Sequence, residues 1–205
     1  MSWFTKIFGS SSKEKEDHRM KYLIIGLGNI GADYSSTRHN IGFDITEALV
    51  EEMGGSWKDG RFGRMADCKF RGRNIHILQP DTFMNLSGKA AKFWLKKLGV
   101  SNDRMLIITD DLNIPLGKLR LKTKGGSGGH NGLKSMEMEL GNSNYPRLRV
   151  GIGSAFSKGQ QVDFVLGRWS DEEINVLEDV IPRAVKGIQK FCYLPVGQVM
   201  TELNR

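Results

Sequence analysis

A neutral imidazole backed by a carboxylate can take a proton from water near neutral pH, and this sequence offers one such pair in His39 and Asp110. His39 lies in a polar segment, Asn29 to Asn40, that follows the apolar run Tyr22-Leu23-Ile24-Ile25. Asp110 follows a second apolar run, Met105 to Ile108, with Asp111 beside it. Both runs read as buried strands, and open α/β sheets put ligands at the carboxyl ends of strands, so the two side chains are expected to meet there. The carboxylate would fix the imidazole tautomer and raise its basicity. Three amides, Asn29, Asn85 and Asn131, could hold a carbonyl and stabilise its developing oxyanion without adding charge. Each asparagine taken alone is more often a helix cap or a turn residue.

Other chemistries match only in part. Gly26, Gly28 and Gly31 spell the dinucleotide fingerprint after a strand, but Tyr34, the Ser35-Ser36-Thr37 run and Arg38-His39 intervene before helical periodicity begins. Where a ribose-binding carboxylate should follow the second strand, Arg71-Gly72-Arg73 stands instead. Gly125 to Gly129 reads G-x-S-x-G, yet His130 is the last histidine, and a hydrolase of that type needs one well downstream. No G-K-S/T occurs, and His18, His39, His76 and His130 are scattered, so neither a P-loop nor a metal site is expected, and no cofactor. Cys68 and Cys192 lack metal-ligand or redox spacing, and an intracellular, cytoplasmic chain without a structural disulfide is expected.

The elements that must position these residues follow in chain order. A helix is expected with Ile41, Ile45, Ala48 and Leu49 on one face, ended by Gly54-Gly55. Strands over Met65–Phe70 and Asn74–Gln79 flank a turn at Arg71 to Asn74. A polar loop, Pro80 to Ser87, then opens a helix carrying Ala90, Ala91, Trp94, Leu95 and Leu98. Lys118 to Lys122 and Arg147 to Ile152 alternate basic and apolar residues, which predicts strands with one cationic face. Between them the glycine loop Gly125 to Gly132 leads into a helix from Leu133 to Leu140. A last long helix starts at a capping box, Ser170 with Glu173, and is expected to bend near Pro182.

A chain of 205 residues, 39% apolar, is long enough for one sizeable core and short for two. Residues 1–19 are expected to form a flexible extension, with a short amphipathic docking helix as the alternative, and 20–205 a single domain. No apolar run reaches membrane-spanning length, and the net charge of +7 favours a polyanionic partner, nucleic acid first.

Four ordered motifs carry a family resemblance. Gly26-Leu27-Gly28-Asn29, Tyr34 and Thr37-Arg38-His39-Asn40 form the first, and Phe83-Met84-Asn85-Leu86-Ser87-Gly88 the second. Asp110-Asp111-Leu112 with Pro115 and Gly117, then Gly128-Gly129-His130-Asn131-Gly132-Leu133, complete the set. In these the chain resembles bacterial peptidyl-tRNA hydrolases from about Met20 to near its end. The resemblance implies a single α/β domain whose mixed, mainly parallel twisted sheet lies between helices. It also implies hydrolysis of the ester joining peptide to the 3′ end of tRNA, by a monomer. His39 would be the base and Asp110 its support, while Asn29 would read the peptide main chain. Asn85 and Asn131 would bind substrate and water, Tyr34 and Phe83 would line the groove for the tRNA end, and Lys122 with Arg149 would hold the tRNA 5′-phosphate. Ile30, Thr109 and Ser127 depart from the commonest pattern of the family. An RNA-binding module that has dispensed with the reaction, as in plant chloroplast relatives of this fold, is the other reading.

Overall fold

A computed structural model describes residues 20–205. The expectations for the N-terminal extension fall outside the described residues. Seven strands form one sheet in the order β2-β3-β4-β1-β5-β7-β6. They are β1 (Lys21–Gly26), β2 (Trp57–Gly60), β3 (Gly63–Phe70), β4 (Arg73–Pro80), β5 (Met105–Asp111), β6 (Leu119–Lys122) and β7 (Arg147–Gly151). The central strands β4, β1, β5 and β7 are parallel, whereas β3 and β6 run against them and β2 turns back on β3. The sheet is therefore mixed, with its parallel strands in the middle. The edge strand β2 and the two short helices named below were not foreseen, because short segments carry too little periodicity to stand out.

Two apolar layers cover the sheet, and alternation along each strand assigns residues to them. Ile24, Leu106 and Ile108 face one layer with Leu148 and Val150. Leu23, Ile25, Met105 and Ile107 face the other. The first layer is closed by α1 (Ile41–Glu52), the 21-residue α5 (Asp171–Phe191) and α6 (Val196–Leu203); the second by α2 (Ser87–Leu98) and α3 (Asn131–Leu140). Helix α5 runs on through Pro182, and its expected capping box is present, with Ser170 and Glu173 satisfying each other's orphan amides. Gly99 and Gly141 end α2 and α3 in the left-handed conformation that glycine adopts without strain.

After β1 the chain enters α1 on one face, and after the neighbouring β4 it enters α2 on the other. Such a divergence opens a crevice at the carboxyl ends of the two strands. The glycines at the end of β1 serve packing rather than a phosphate. A Cβ on Gly26 would lie 2.3 Å from the carbonyl oxygen of Gly42, and one on Gly42 would lie 2.5 Å from that of Leu27. Helix α1 thus rests on the strand end with backbone against backbone, and the polar turn before it is held over the crevice.

Candidate active site

Two 3₁₀ turns, Ala32–Tyr34 and Arg38–Asn40, separate β1 from α1, and the second carries His39. Its Nδ1 lies 2.9 Å from Oδ1 of Asp110, which sits at the end of β5. The expected dyad is present in geometry. A third group shares it: Nε2 of His130 is also 2.9 Å from that same oxygen, and the two imidazole centroids are 4.8 Å apart.

The backbone decides the tautomers. His130 is the N-cap of α3, and the amides of Gly132 and Leu133 donate to its Nδ1 at 3.1 and 3.3 Å. That nitrogen must carry its lone pair, so the proton of neutral His130 is on Nε2 and is donated to Asp110. An ionised Asp110 then accepts Nδ1–H from His39 as well. What remains on neutral His39 is a basic Nε2 with no protein partner among the described residues. Burial of Asp110 raises its pKa, but its interaction with His130 and the hydrogen bonds from both imidazoles outweigh it and hold the carboxyl well below the usual carboxylate range. The three ligand atoms lie close enough to suggest a cation site. Yet Nε2 of His130, the atom that would face a cation, is the one bearing hydrogen, so the cluster is built for hydrogen bonds rather than coordination.

The amides stand around this pair. The side-chain oxygen of Asn29 accepts the Met84 amide at 2.8 Å, which ties the loop after β1 to the loop after β4. Asn40 bonds both the amide and the carbonyl of Asn29, at 2.8 and 3.0 Å. The acceptor of Asn29 is consumed, and its NH₂ is left as a donor. Asn85, in the 3₁₀ turn Met84–Leu86, and Asn131, first residue of α3, are exposed. Asn29, His39, Asn85, Asp110, Asn131, Tyr34 and Phe83 all line one cleft of about 920 Å³. Phe83 is 54% exposed. The far wall of the cleft is apolar, with Leu112, Ile114 and Phe156, and with Val162, Val165 and Leu166 from the short helix α4 (Gln161–Leu166).

Lys122 and Arg149 are on the β6–β7 edge and do not line this cleft, although Arg149 contacts Asp111, which does. Lys122 is opposite Arg147 and Arg149 opposite Arg120, so all four basic residues project from one face while Leu119, Leu121, Leu148 and Val150 enter the core. The alternation is as expected, but the face is not uniformly solvated. Arg147 is buried and donates to the carbonyls of Gly126 and Ser143, at 3.2 and 2.9 Å. Arg149 is ion-paired with Asp111. Lys122 is exposed.

The family model for peptidyl-tRNA hydrolase matches residues 23–205. The chain belongs to the peptidyl-tRNA hydrolase family. It is 47% identical to the peptidyl-tRNA hydrolase of Cytophaga hutchinsonii over 185 residues, covering 90% of this chain and 98% of that one. It is 38% identical to that of Bacillus subtilis, covering 89% and 97%. A crystal structure of the Acinetobacter baumannii peptidyl-tRNA hydrolase superposes with a TM-score of 0.86 at 34% identity, covering 91% of this chain and 95% of that one. Among the described residues no helix is long and apolar enough to cross a membrane.

His130 is the site residue that sequence reasoning did not assign. Histidine is not a preferred helix cap, so nothing local marks this one as both a cap and a partner of Asp110. Its place in the glycine-loop motif was the one available signal.

Proposed function

We propose that this chain hydrolyses the ester joining peptide to the 3′ end of tRNA in peptidyl-tRNA, with His39 as the base that activates water. The observation that carries this reading is the contact of His39 Nδ1 with Asp110, which leaves Nε2 without a protein partner among the described residues, in a cleft lined with amides. Water donates a proton to Nε2 as its oxygen attacks the ester carbonyl. The imidazolium, stabilised by Asp110, returns that proton to the ribose oxygen as the carbon–oxygen bond breaks. Asn85 and Asn131 hold the ester and the water. Asn29 donates to a carbonyl of the first peptide unit, which distinguishes N-blocked from free aminoacyl-tRNA. Tyr34 and Phe83 line the path of the tRNA end, and Lys122 with Arg149 hold the 5′-phosphate. In this reading residues 20–205 are the hydrolase domain, 1–19 an extension to it, and the enzyme works as a cytoplasmic monomer without metal or cofactor.

The test is release of N-blocked amino acid from charged tRNA, with unblocked aminoacyl-tRNA as control. Turnover of the blocked substrate alone supports the proposal; tRNA binding without release would favour the RNA-binding module. Asn29→Asp sharpens it. An aspartate still accepts from the Met84 amide but cannot donate, so the ratio of blocked to unblocked rates should fall, and an unchanged ratio would remove Asn29 from that role.

A further inference from the structure

Arg38 stands immediately before the base, yet its side chain belongs to another part of the chain. Its Nε and Nη2 donate to the two carboxylate oxygens of Glu173 at 3.0 and 2.5 Å, and Nη1 donates to the carbonyl of Phe164 in α4 at 3.2 Å. The guanidinium lies over the Phe164 ring, 4.5 Å from its centroid, and 5.4 Å from that of Trp169. The Arg38 amide donates to Gly167 at 3.1 Å, and Thr37 forms an isolated bridge with Arg168. A Cβ at Gly167 would meet Nη1 of Arg38 at 2.9 Å, so a side chain there would press on the guanidinium. Glu173 in turn accepts the Ser170 amide and so caps α5, whose Val180, Ala184 and Ile188 are in the core. Helix α4 has no buried residue of its own, although it supplies one wall of the cleft.

We infer that Arg38 is a positioning residue that locks the catalytic turn to the α4 wall, so that the placement of His39 depends on that wall. The proposal rests on His39 being the base. The chemistry requires arginine: a planar fork can bind both oxygens of Glu173 while stacking on Phe164 and donating to its carbonyl, and an ammonium cannot do all three. Anchoring through Glu173 refers the turn to the capped N-terminus of α5 rather than to a loop.

The experiment is a double-variant cycle on full-length protein with N-blocked aminoacyl-tRNA, using Arg38→Lys, Glu173→Gln and His39→Ala. Arg38→Lys should lower kcat roughly 10-fold with KM changed much less, as a misplaced base predicts. Glu173→Gln keeps an acceptor for the Ser170 cap, so it breaks the fork in a folded protein and should give the same split. Combined with His39→Ala, neither change should slow the reaction further, because a residue acting only through the base has nothing left to position. Amide hydrogen exchange across Val162 to Gly167 should rise in Arg38→Lys and stay unchanged in His39→Ala. If the losses multiply in the double variants, Arg38 acts independently of His39 and the inference is overturned. If His39→Ala itself retains near-normal turnover, the failure lies with His39 as the base.

Discussion

At the scale of single residues, the site is one carboxylate oxygen shared by two imidazoles. His39→Ala should lower kcat by roughly 10²-fold or more with substrate binding retained, the usual scale of a lost general base. Asp110→Asn should also be slow, because an amide neither stabilises the imidazolium nor enforces the tautomer. The lowered pKa of Asp110 has a consequence for stability. A carboxyl depressed on folding adds stability that is fully present above its unfolded value, near about 4, and is lost as pH falls toward its folded value. In wild type the melting temperature should therefore drop below about pH 4 more steeply than in Asp110→Asn; parallel acid titrations of the two would contradict the pairing. His130 can be divided into its two tasks. Asparagine is a good N-cap but too short to reach Asp110, so His130→Asn should keep α3 capped and lose only the bond to the buried carboxylate, at about 1.5–3 kcal/mol of stability. With Asp110 less firmly held against His39, kcat should fall roughly 10-fold as well. His130→Ala should lose both, and thermal melts beside kcat values separate them.

At the scale of elements, catalytic distance depends on how closely α1 approaches the sheet. A Cβ on Gly42 would lie 2.6 Å from the Leu27 amide and 2.8 Å from the Ile108 carbonyl, both backbone atoms that cannot rotate away. Gly42→Ala must push α1 off the ends of β1 and β5, the two strands that precede His39 and carry Asp110. Overpacking of this kind costs about 1–3 kcal/mol. Since the displacement separates base from carboxylate, kcat should fall beyond what the lost folded fraction explains; activity measured well below the melting temperature, where the variant is fully folded, checks it. The elements themselves were legible unevenly. Core strands and α1 to α3 declare themselves by apolar period and glycine terminators, and the Arg71-Gly72 hairpin by its turn residues, both of which have positive φ. Strand β2, with one half-buried residue in four, and α4, with none buried, have no such period. Their places come from neighbours: pairing with β3, and contact with the catalytic turn.

At the scale of the whole molecule, the excess positive charge meets a substrate far larger than the cleft. Lys122 and Arg149 are diagonal neighbours on one face of the β6–β7 edge, a spacing of roughly 7–8 Å that lets two long side chains share one anion. A phosphate held there, away from the ester, contributes to binding, so Lys122→Ala with Arg149→Ala should raise KM more than it lowers kcat. The double variant should also lose its preference for 5′-phosphorylated over dephosphorylated tRNA, while a minimal blocked aminoacyl-nucleotide is cleaved as before. The ion pair between Arg149 and Asp111 adds a condition, because phosphate must compete with that carboxylate. Asp111→Asn should therefore strengthen the preference for the 5′-phosphate. Steady-state KM for both RNAs at one fixed salt concentration decides the matter.

What the sequence by itself determined is whatever acts over a few residues: apolar periods that assign strands to two layers, glycines that end helices or admit backbone contact, and ordered motifs that name the family. His39 and Asp110, 71 residues apart, were paired from motif and strand-end logic, and the fold joins them. Tertiary structure alone decided the rest. His130 meets Asp110 because α3 begins where β5 ends, Arg38 meets Glu173 across 135 residues, and Arg149 finds Asp111 on the adjacent strand. The physical reason is common to all three. A polar side chain's partner depends on the order of strands and on which face each connection crosses, whereas its own local pattern records only whether it is buried.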